Sequence, residues 1–286
     1  SDRLHAAWAA VHPVAPDDQP PADELCEQMR VNRVGALFLF TRQYRIDLSA
    51  WCIDRLLAPF AEARVPVFIN PNEIGPMGIG MDETDWGQVV ALCQRWPSLP
   101  VVVSEHRMRR DHRTLLQALA TCPNLTLEIS GLWLYGAIEF IVERFGADRL
   151  VFGSNWPSYG QHMTVATLAM ADIGDDAKRK IAGDNLRRLL GWCGPEHPAV
   201  DLPAAIDTFA EIGRTGDRPD AVRFLDCHGH LGGLKHQYHI HGRKLEDTVA
   251  EMDRLGIDKC LVWHFVSVGD EMVGNDITIE AVRAYP

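Results

Sequence analysis

The chain has 286 residues, 47% of them hydrophobic and 23% charged, which suits one large α/β domain or two smaller ones and excludes a disordered polypeptide. Its net charge of −11 opposes any partner with a phosphate backbone, and no Lys/Arg-rich run makes a local exception, so nucleic acid binding is excluded. Seven cysteines without paired spacing predict reduced thiols in a cytoplasmic protein, and neither a membrane-length apolar run nor a signal-peptide pattern points elsewhere.

The first residue is Ser1, which implies that the true start was processed or cut away. Leu4 to Val11 is small and apolar and closes at His12-Pro13, predicting a buried strand followed by a Pro/Asp-rich loop. Ala22 to Val31 has the spacing of a short amphipathic helix, and Val34 to Phe40 is a continuous apolar run of strand length. Leu48 to Arg64 is helical in period, with Asp47 or Ser49 as its cap, and Val65 to Ile69 is the next buried strand, ending in Asn70-Pro71. A Gly/Pro/Met-rich loop follows, in which Met77 to Met81 suggests a mobile lid or packing element. It leads to a helix from Asp85 to Trp96 and a strand from Leu99 to Ser104, which ends in Glu105-His106.

The alternation continues with a helix over Asp111 to Thr121, a strand over Leu125 to Ile129, a helix over Tyr135 to Phe145 and a strand over Arg149 to Gly153. Asp175 to Trp192 has the pattern of one long helix, with carboxylates in its first turn and arginines nearer its end, as the helix dipole favours. Gly194 to Asp220, rich in Pro, Gly and Asp around one helical segment at Pro203 to Ile212, has a linker's composition. Behind it come a strand carrying DCHGHLGG, a helix from Lys244 to Leu255, a strand from Lys259 to Phe265 and a helix from Asp276 to Ala284.

About eight apolar strands separated by helices match the (β/α)8 TIM barrel. An open doubly wound sheet is the alternative, but no Gly-rich dinucleotide fingerprint follows the early strands to favour it. In a barrel the C-terminal strand ends face the active site, and there the sequence places His12, Asn70, Glu105, His106, Glu128, Asn155, His228, His230 and His264. Two histidines two residues apart on a strand point to one face, so His228 and His230 can reach one cation. The plain alternative is a pair hydrogen-bonded inside the mouth. His264 suits a substrate contact or a buried hydrogen-bonded residue equally, and His236, His239 and His241 suit a solvated loop better than a second metal site.

Asp226 to Gly233 (DCHGHLGG), Arg149 to Pro157 (RLVFGSNWP) and Ile181 to Leu190 (IAGDNLRRLL) together resemble the amidohydrolase superfamily, in particular the amidohydrolase-2 group of metal-dependent hydrolases, which includes aminocarboxymuconate-semialdehyde decarboxylase and related lactonases. The resemblance implies a barrel in which the His-x-His lies on the first strand, FGS-x-x-P on the eighth, and Asn-x-x-Arg-Leu on the helix after it. Here the order is reversed. That implies a circular permutation, or a slice of a tandem protein that builds barrels by exchanging halves between two chains as a homo-oligomer. We expect permutation, because the pieces sum to one barrel: residues 1–193 as strands three to eight of the family order, 194–220 as the bridge, and 221–286 as strands one and two of a single domain.

The resemblance also implies a site. His228 and His230 would bind a divalent cation, Zn²⁺ by first expectation, and at the end of the sixth family strand either Glu105 or His106 offers a further ligand. His228, His230 and Glu105 would make the two-histidine, one-carboxylate set of several catalytic zinc sites, although Glu105 can equally pair with Arg107 or Arg109. Where the family carries a histidine and an aspartate, this chain has Asn70 and Asn155, and an amide cannot serve as the general base that activates water. Asn155, His106 and His264 are the expected catalytic residues, facing a small-molecule substrate. The expected activity is hydrolysis of a C–N, ester or lactone bond in a small carboxylated or cyclic substrate. Non-oxidative decarboxylation is the alternative, and a degenerate barrel that binds a small ligand or a partner protein is the reading from another class.

Overall fold

Six short apolar runs form parallel strands: β1 (Ala6–Ala9), β2 (Val34–Phe40), β3 (Val67–Asn70), β4 (Val101–Val103), β5 (Leu125–Glu128) and β6 (Leu150–Val151). The computed structural model describes residues 6–12, 19–71, 84–108, 111–155, 161–194, 224–232, 244–264, 266 and 271–285. Each of the six strands is followed by a helix: α1 (Ala22–Val31), α2 (Ala50–Ala63), α3 (Trp86–Arg95), α4 (His112–Thr121), α5 (Ala137–Phe145) and α6 (Gln161–Met170). The spatial order β1-β2-β3-β4-β5-β6 repeats the chain order without a reversal. Every crossover therefore turns the same way, which is the winding of a barrel; a doubly wound sheet reverses its strand order at the middle.

Period-two alternation divides the strand residues between two packed layers. Leu37, Leu39, Val67, Ile69, Val101 and Val103 face the helices, where they share one core with Met29, Phe60, Leu92 and Leu115. Ala36, Phe68, Val102 and Val151 point the other way and meet Leu189. That leucine belongs to a segment expected to be one helix and found in three pieces: α7 (Asp175–Arg179), a π-helical turn (Lys180–Asp184) and α8 (Asn185–Leu190).

The break has a local cause. The Ile181 carbonyl accepts the Phe152 N–H at 2.9 Å, just past β6, and is drawn out of the helix ladder. Asn185, 2% exposed, donates from Nδ2 to the carbonyls of Ala147 and Leu150, both at 2.8 Å. Trp192 Nε1 then donates to Gly35 O at 2.8 Å, so α8 lies across the N-terminal ends of the strands. Asn185→Ala is expected to cost about 2 kcal/mol, because two buried carbonyls lose their donor. Urea unfolding measures it, and a loss below about 0.5 kcal/mol would show that the amide does not hold α8.

β1 departs from expectation. Ala6, Ala7 and Ala9 are exposed because β1 is the edge of the six-stranded sheet, with no strand beyond it among the described residues. α6 was not expected, since its sequence scatters apolar and polar residues around the helix with no stripe to mark it.

The remaining strands, β7 (Phe224–Leu231) and β8 (Ile257–His264), pair in parallel as a separate sheet, with α9 (Leu245–Leu255) between them and α10 (Glu271–Ala284) behind. Among the described residues the eight strands thus stand as six and two, with no ladder joining the sheets. No described helix is long and apolar enough to cross a membrane. The expected bridge beyond Gly194 with its helix at Pro203 to Ile212, the histidine loop and the Met77 to Met81 loop lie outside the described residues.

Candidate active site

The C-terminal ends of β3 to β6 bring Asn70, Glu105, Glu128 and Asn155 around one mouth. Ile69 pairs with Val103, so the residues that follow lie side by side, and Asn70 Nδ2 donates to Glu105 Oε1 at 2.8 Å. Glu128 ends β5, and its carboxylate accepts the Glu105 N–H at 3.0 Å, the Ser130 N–H at 2.5 Å and the Ser130 hydroxyl at 2.7 Å. Its side chain is almost wholly buried. Burial raises the Glu128 pKa above the ordinary carboxylate value, the bonds from Ser130 and the Glu105 amide pull it back, and the Glu105 charge adds to the rise.

Two backbone features mark the mouth as built for more than packing. Glu105 (φ 56°) and Asn155 (φ 50°) both occupy the left-handed region. Asparagine visits it readily, whereas for other side chains it costs about 1–2 kcal/mol, and such strain concentrates at functional sites. Gly153, in the FGS motif, is required by close approach: a Cβ there would lie 2.4 Å from Glu128 Oε1.

A cavity of about 300 Å³ opens beneath these groups, with Phe38, Phe68 and Val151 in its walls, Leu186 and Leu190 in its floor and Glu105, Glu128 and Asn155 at its rim. That is the lower end of the size range of small-molecule sites. A hollow of about 630 Å³ lies at the opposite, N-terminal strand ends beside Arg64, Arg188 and Trp192, remote from the strand ends that carry the polar cluster.

The other expected site residues divide between the two sheets. His106 is 1% exposed and turned away from the cavity: its Nδ1 lies 2.8 Å from Thr84 Oγ1, and its ring meets Trp86 edge-on. Asp111 Oδ1 is 3.2 Å from His106 Nε2 but off the line of a good hydrogen bond, while Asp111 Oδ2 accepts the Trp86 indole N–H at 2.6 Å. His12, beyond β1, accepts the Asp47 N–H at Nε2 (3.1 Å) with Cys52 Sγ 3.2 Å away; burial lowers its pKa, opposed by Asp47. The Arg107 guanidinium lies over the Trp133 ring at 5.2 Å.

On the second sheet, His264 pairs in register with Leu231, and its Nδ1 accepts the Val266 N–H at 3.2 Å. Its ring lies against Gly232, where a Cβ would stand 2.2 Å from Nε2. His264 therefore ends β8 beside the end of β7, the strand that carries His228 and His230. The side chains of those two histidines lie outside the described residues.

Glu128 is the member that sequence reasoning left without a role. It stood at a strand end, but its burial comes from the close approach of Gly153, past the end of β6, and from the 3-10 turn over Ile129–Gly131 that brings Ser130 onto its carboxylate.

Among the described residues, no three of His, Cys, Asp and Glu stand together as a metal set. Both oxygens of Glu128 accept from Ser130 and the Glu105 amide, while Glu105, whose Oε1 accepts from Asn70, is the other carboxylate at the rim. The described half of the mouth does not hold an ion by itself, and its donor chemistry fits one only with added imidazoles.

A search of curated proteins found no match. Among solved structures, an uncharacterized TIM-barrel protein from Bordetella bronchiseptica is similar with a TM-score of 0.50 at 20% identity, over 66% of this chain and 67% of that one. A 5-carboxyvanillate decarboxylase from Sphingomonas paucimobilis matches with a TM-score of 0.47 at 17% identity, over 62% of this chain and 64% of that one. An amidohydrolase from Burkholderia multivorans gives 0.42 at 16% identity, over 62% of this chain and 72% of that one. The chain thus spans about two thirds of the first two proteins' lengths, and the likeness to the first is one of fold. The amidohydrolase family model matches residues 1–192, the whole six-stranded sheet with its helices through α8. On that match the chain belongs to the amidohydrolase family.

Proposed function

We propose that the chain is a metal-dependent hydrolase that cleaves a C–N, ester or lactone bond in a small carboxylated or cyclic substrate. The observation that carries this is the mouth of β3 to β6. A strained Glu105, braced by Asn70, sits at the rim of an apolar cavity beside a second, buried carboxyl. His228 and His230, at the C-terminal part of β7, are the residues that would join Glu105 around a divalent ion, and two imidazoles with one carboxylate are a set that zinc takes. When bound, such an ion supplies a Lewis acid and an acidified water.

The chain's own residues then have separate tasks. Phe38, Phe68 and Val151 exclude water from the bound substrate, and Asn155 orients it through an amide that donates as well as accepts. Glu128 fixes the Glu105 main chain through the amide it accepts. Because Asn155 stands where a basic carboxylate would serve hydrolysis, non-oxidative decarboxylation of the same substrates is the second reading.

Metal analysis of protein purified without chelators tests the proposal, together with assays of lactone and amide hydrolysis and of CO₂ release before and after adding Zn²⁺ or Mn²⁺. We expect a bound divalent ion and an activity that increases on loading. Protein that contains no ion and gains no activity from either metal would instead be a barrel that binds ligands without transforming them.

A further inference from the structure

We propose that two copies of this chain complete each other's barrel: β7 and β8 of one copy enter between β6 and β1 of the other and bring their histidines to that copy's Glu105. The metal part of this inference rests on the function proposed above; the assembly part stands on the strands alone.

The strand count comes first. Six parallel strands in unbroken order are two short of a (β/α)8 barrel, and β7 with β8 are two parallel strands separated by a helix, the missing unit in kind and direction. Both pieces show the cost of standing apart. Parallel strands are found buried on both faces, yet Leu225 is 71% exposed and Leu261 70%, and no residue of α9 is buried. On α10, Met272, Ile279 and Val282 are exposed as well. Among the described residues the receiving edge is equally bare, since β1 presents Ala6 and Ala7 to solvent, and the same two residues border the 300 Å³ cavity.

The position of α9 argues for a second copy over closure within one chain. Tyr135, at the entry to α5, donates its hydroxyl to Glu251 Oε2 at 3.2 Å, and Arg254 Nη1 donates to the Met170 carbonyl, at the end of α6, at 2.6 Å. Arg254 also grips Glu251 through Nε (2.8 Å) and Nη2 (2.7 Å). In a barrel closed by one chain, the helix after β7 is separated from α5 by the helices that follow β6, so closure would break the bond between Tyr135 and Glu251. Insertion into a partner allows it to be kept, with Glu251 and Arg254 of α9 still on their own Tyr135 and Met170. In sequence, residues 195–223 lie between the two parts, and a chain of that length can span at most roughly 100 Å.

The arrangement assembles two half-sites. The Glu105, Asn70, Glu128 and Asn155 rim comes from one copy, and the strand ends with His228, His230 and His264 come from the other. A closed two-fold pair contains two such sites.

The full-length chain tests this by light scattering after size exclusion, with Leu261→Lys as the breaking variant. A lysine is tolerated where Leu261 is exposed and is excluded where a barrel buries it. We expect twice the chain mass of 32.0 kDa for the wild type, and 32.0 kDa with unchanged far-ultraviolet circular dichroism for Leu261→Lys. A monomeric wild type, or a dimer that Leu261→Lys leaves intact, overturns the proposal. Mixing then assigns the site: Glu105→Gln and His228→Ala/His230→Ala chains are unfolded and refolded together, and binding is read at a Zn²⁺ concentration that loads wild-type sites but lies below the weakened affinity of either variant alone. Half of the pairs are mixed and each restores one site of two, so about a quarter of wild-type Zn²⁺ binding returns. If the mixture binds none while the wild type does, exchange is excluded. If the wild type itself binds none, the metal reading fails and the mass measurements alone decide the assembly.

Discussion

Replacing both His228 and His230 by alanine is expected to lower divalent-metal affinity, and with it kcat/KM, by more than about 100-fold, because even the outer partners of metal ligands typically cost 10- to 100-fold. The remaining donors explain the size of the loss. With the imidazoles gone, the mouth keeps Glu105, whose Oε1 already accepts from Asn70, and Glu128, whose two oxygens are held by Ser130 and the Glu105 amide. One carboxylate in competition with water holds zinc weakly. Glu105→Gln is the informative companion, since its amide oxygen can still accept from Asn70 while the charge is removed; we expect a loss of about 10-fold, smaller than that of the double variant. Isothermal titration with Zn²⁺ measures both. Retention of wild-type affinity after loss of both histidines would move the metal to other ligands.

The pattern of what could be read from the sequence follows from how far each feature reaches along the chain. β2 and α1 have the bounds expected of them, because each is a run whose apolar residues are all satisfied by one local geometry. α3, expected from Asp85 to Trp96, runs from Trp86 to Arg95 with Asp85 as its cap, whose carboxylate accepts the Gln88 N–H three residues on. The break before α8 was not legible, because it is caused by Phe152, an N–H on another element that competes for the Ile181 carbonyl. The exposure of β1 was illegible too, since an edge strand and a central one can share the same composition and differ only in whether a neighbour is present.

The site shows the same division. Polar residues at strand ends were visible as a set, and Asn70, Glu105, Glu128 and Asn155 do converge. What the linear pattern could not decide was direction, as at Glu105-His106, two adjacent polar residues of which either might face the mouth. The left-handed turn at Glu105 sends its side chain to the rim and His106 to Thr84 and Trp86. A one-residue choice of this kind rests on backbone conformation, to which residue type contributes little when the residue is glutamate.

That turn is held by a neighbour, and this gives the second large effect. Gly131→Ala is expected to destabilise the fold by about 3 kcal/mol or more, at the upper end of overpacking costs. A Cβ on Gly131 would stand 2.1 Å from the His106 carbonyl oxygen and 2.6 Å from its carbonyl carbon. Both atoms are main chain, so no rotamer change relieves the contact and the segment from Glu105 to Met108 must shift. The Met108 N–H that donates to Gly131 O at 3.4 Å would be lost first, and Glu105, whose amide is anchored on Glu128, would be carried off the rim. The control is Gly191→Ala, at a helical φ of −59° with nothing within 4 Å of its Cβ, which should be neutral or stabilising by about 0.5 kcal/mol. Urea unfolding of both variants gives the comparison, and metal affinity at a urea concentration where both remain folded separates the two consequences for Gly131→Ala. If Gly131→Ala matched the control in stability and in affinity, the close approach of the two strand ends would have no part in setting Glu105, and the left-handed turn would need another support.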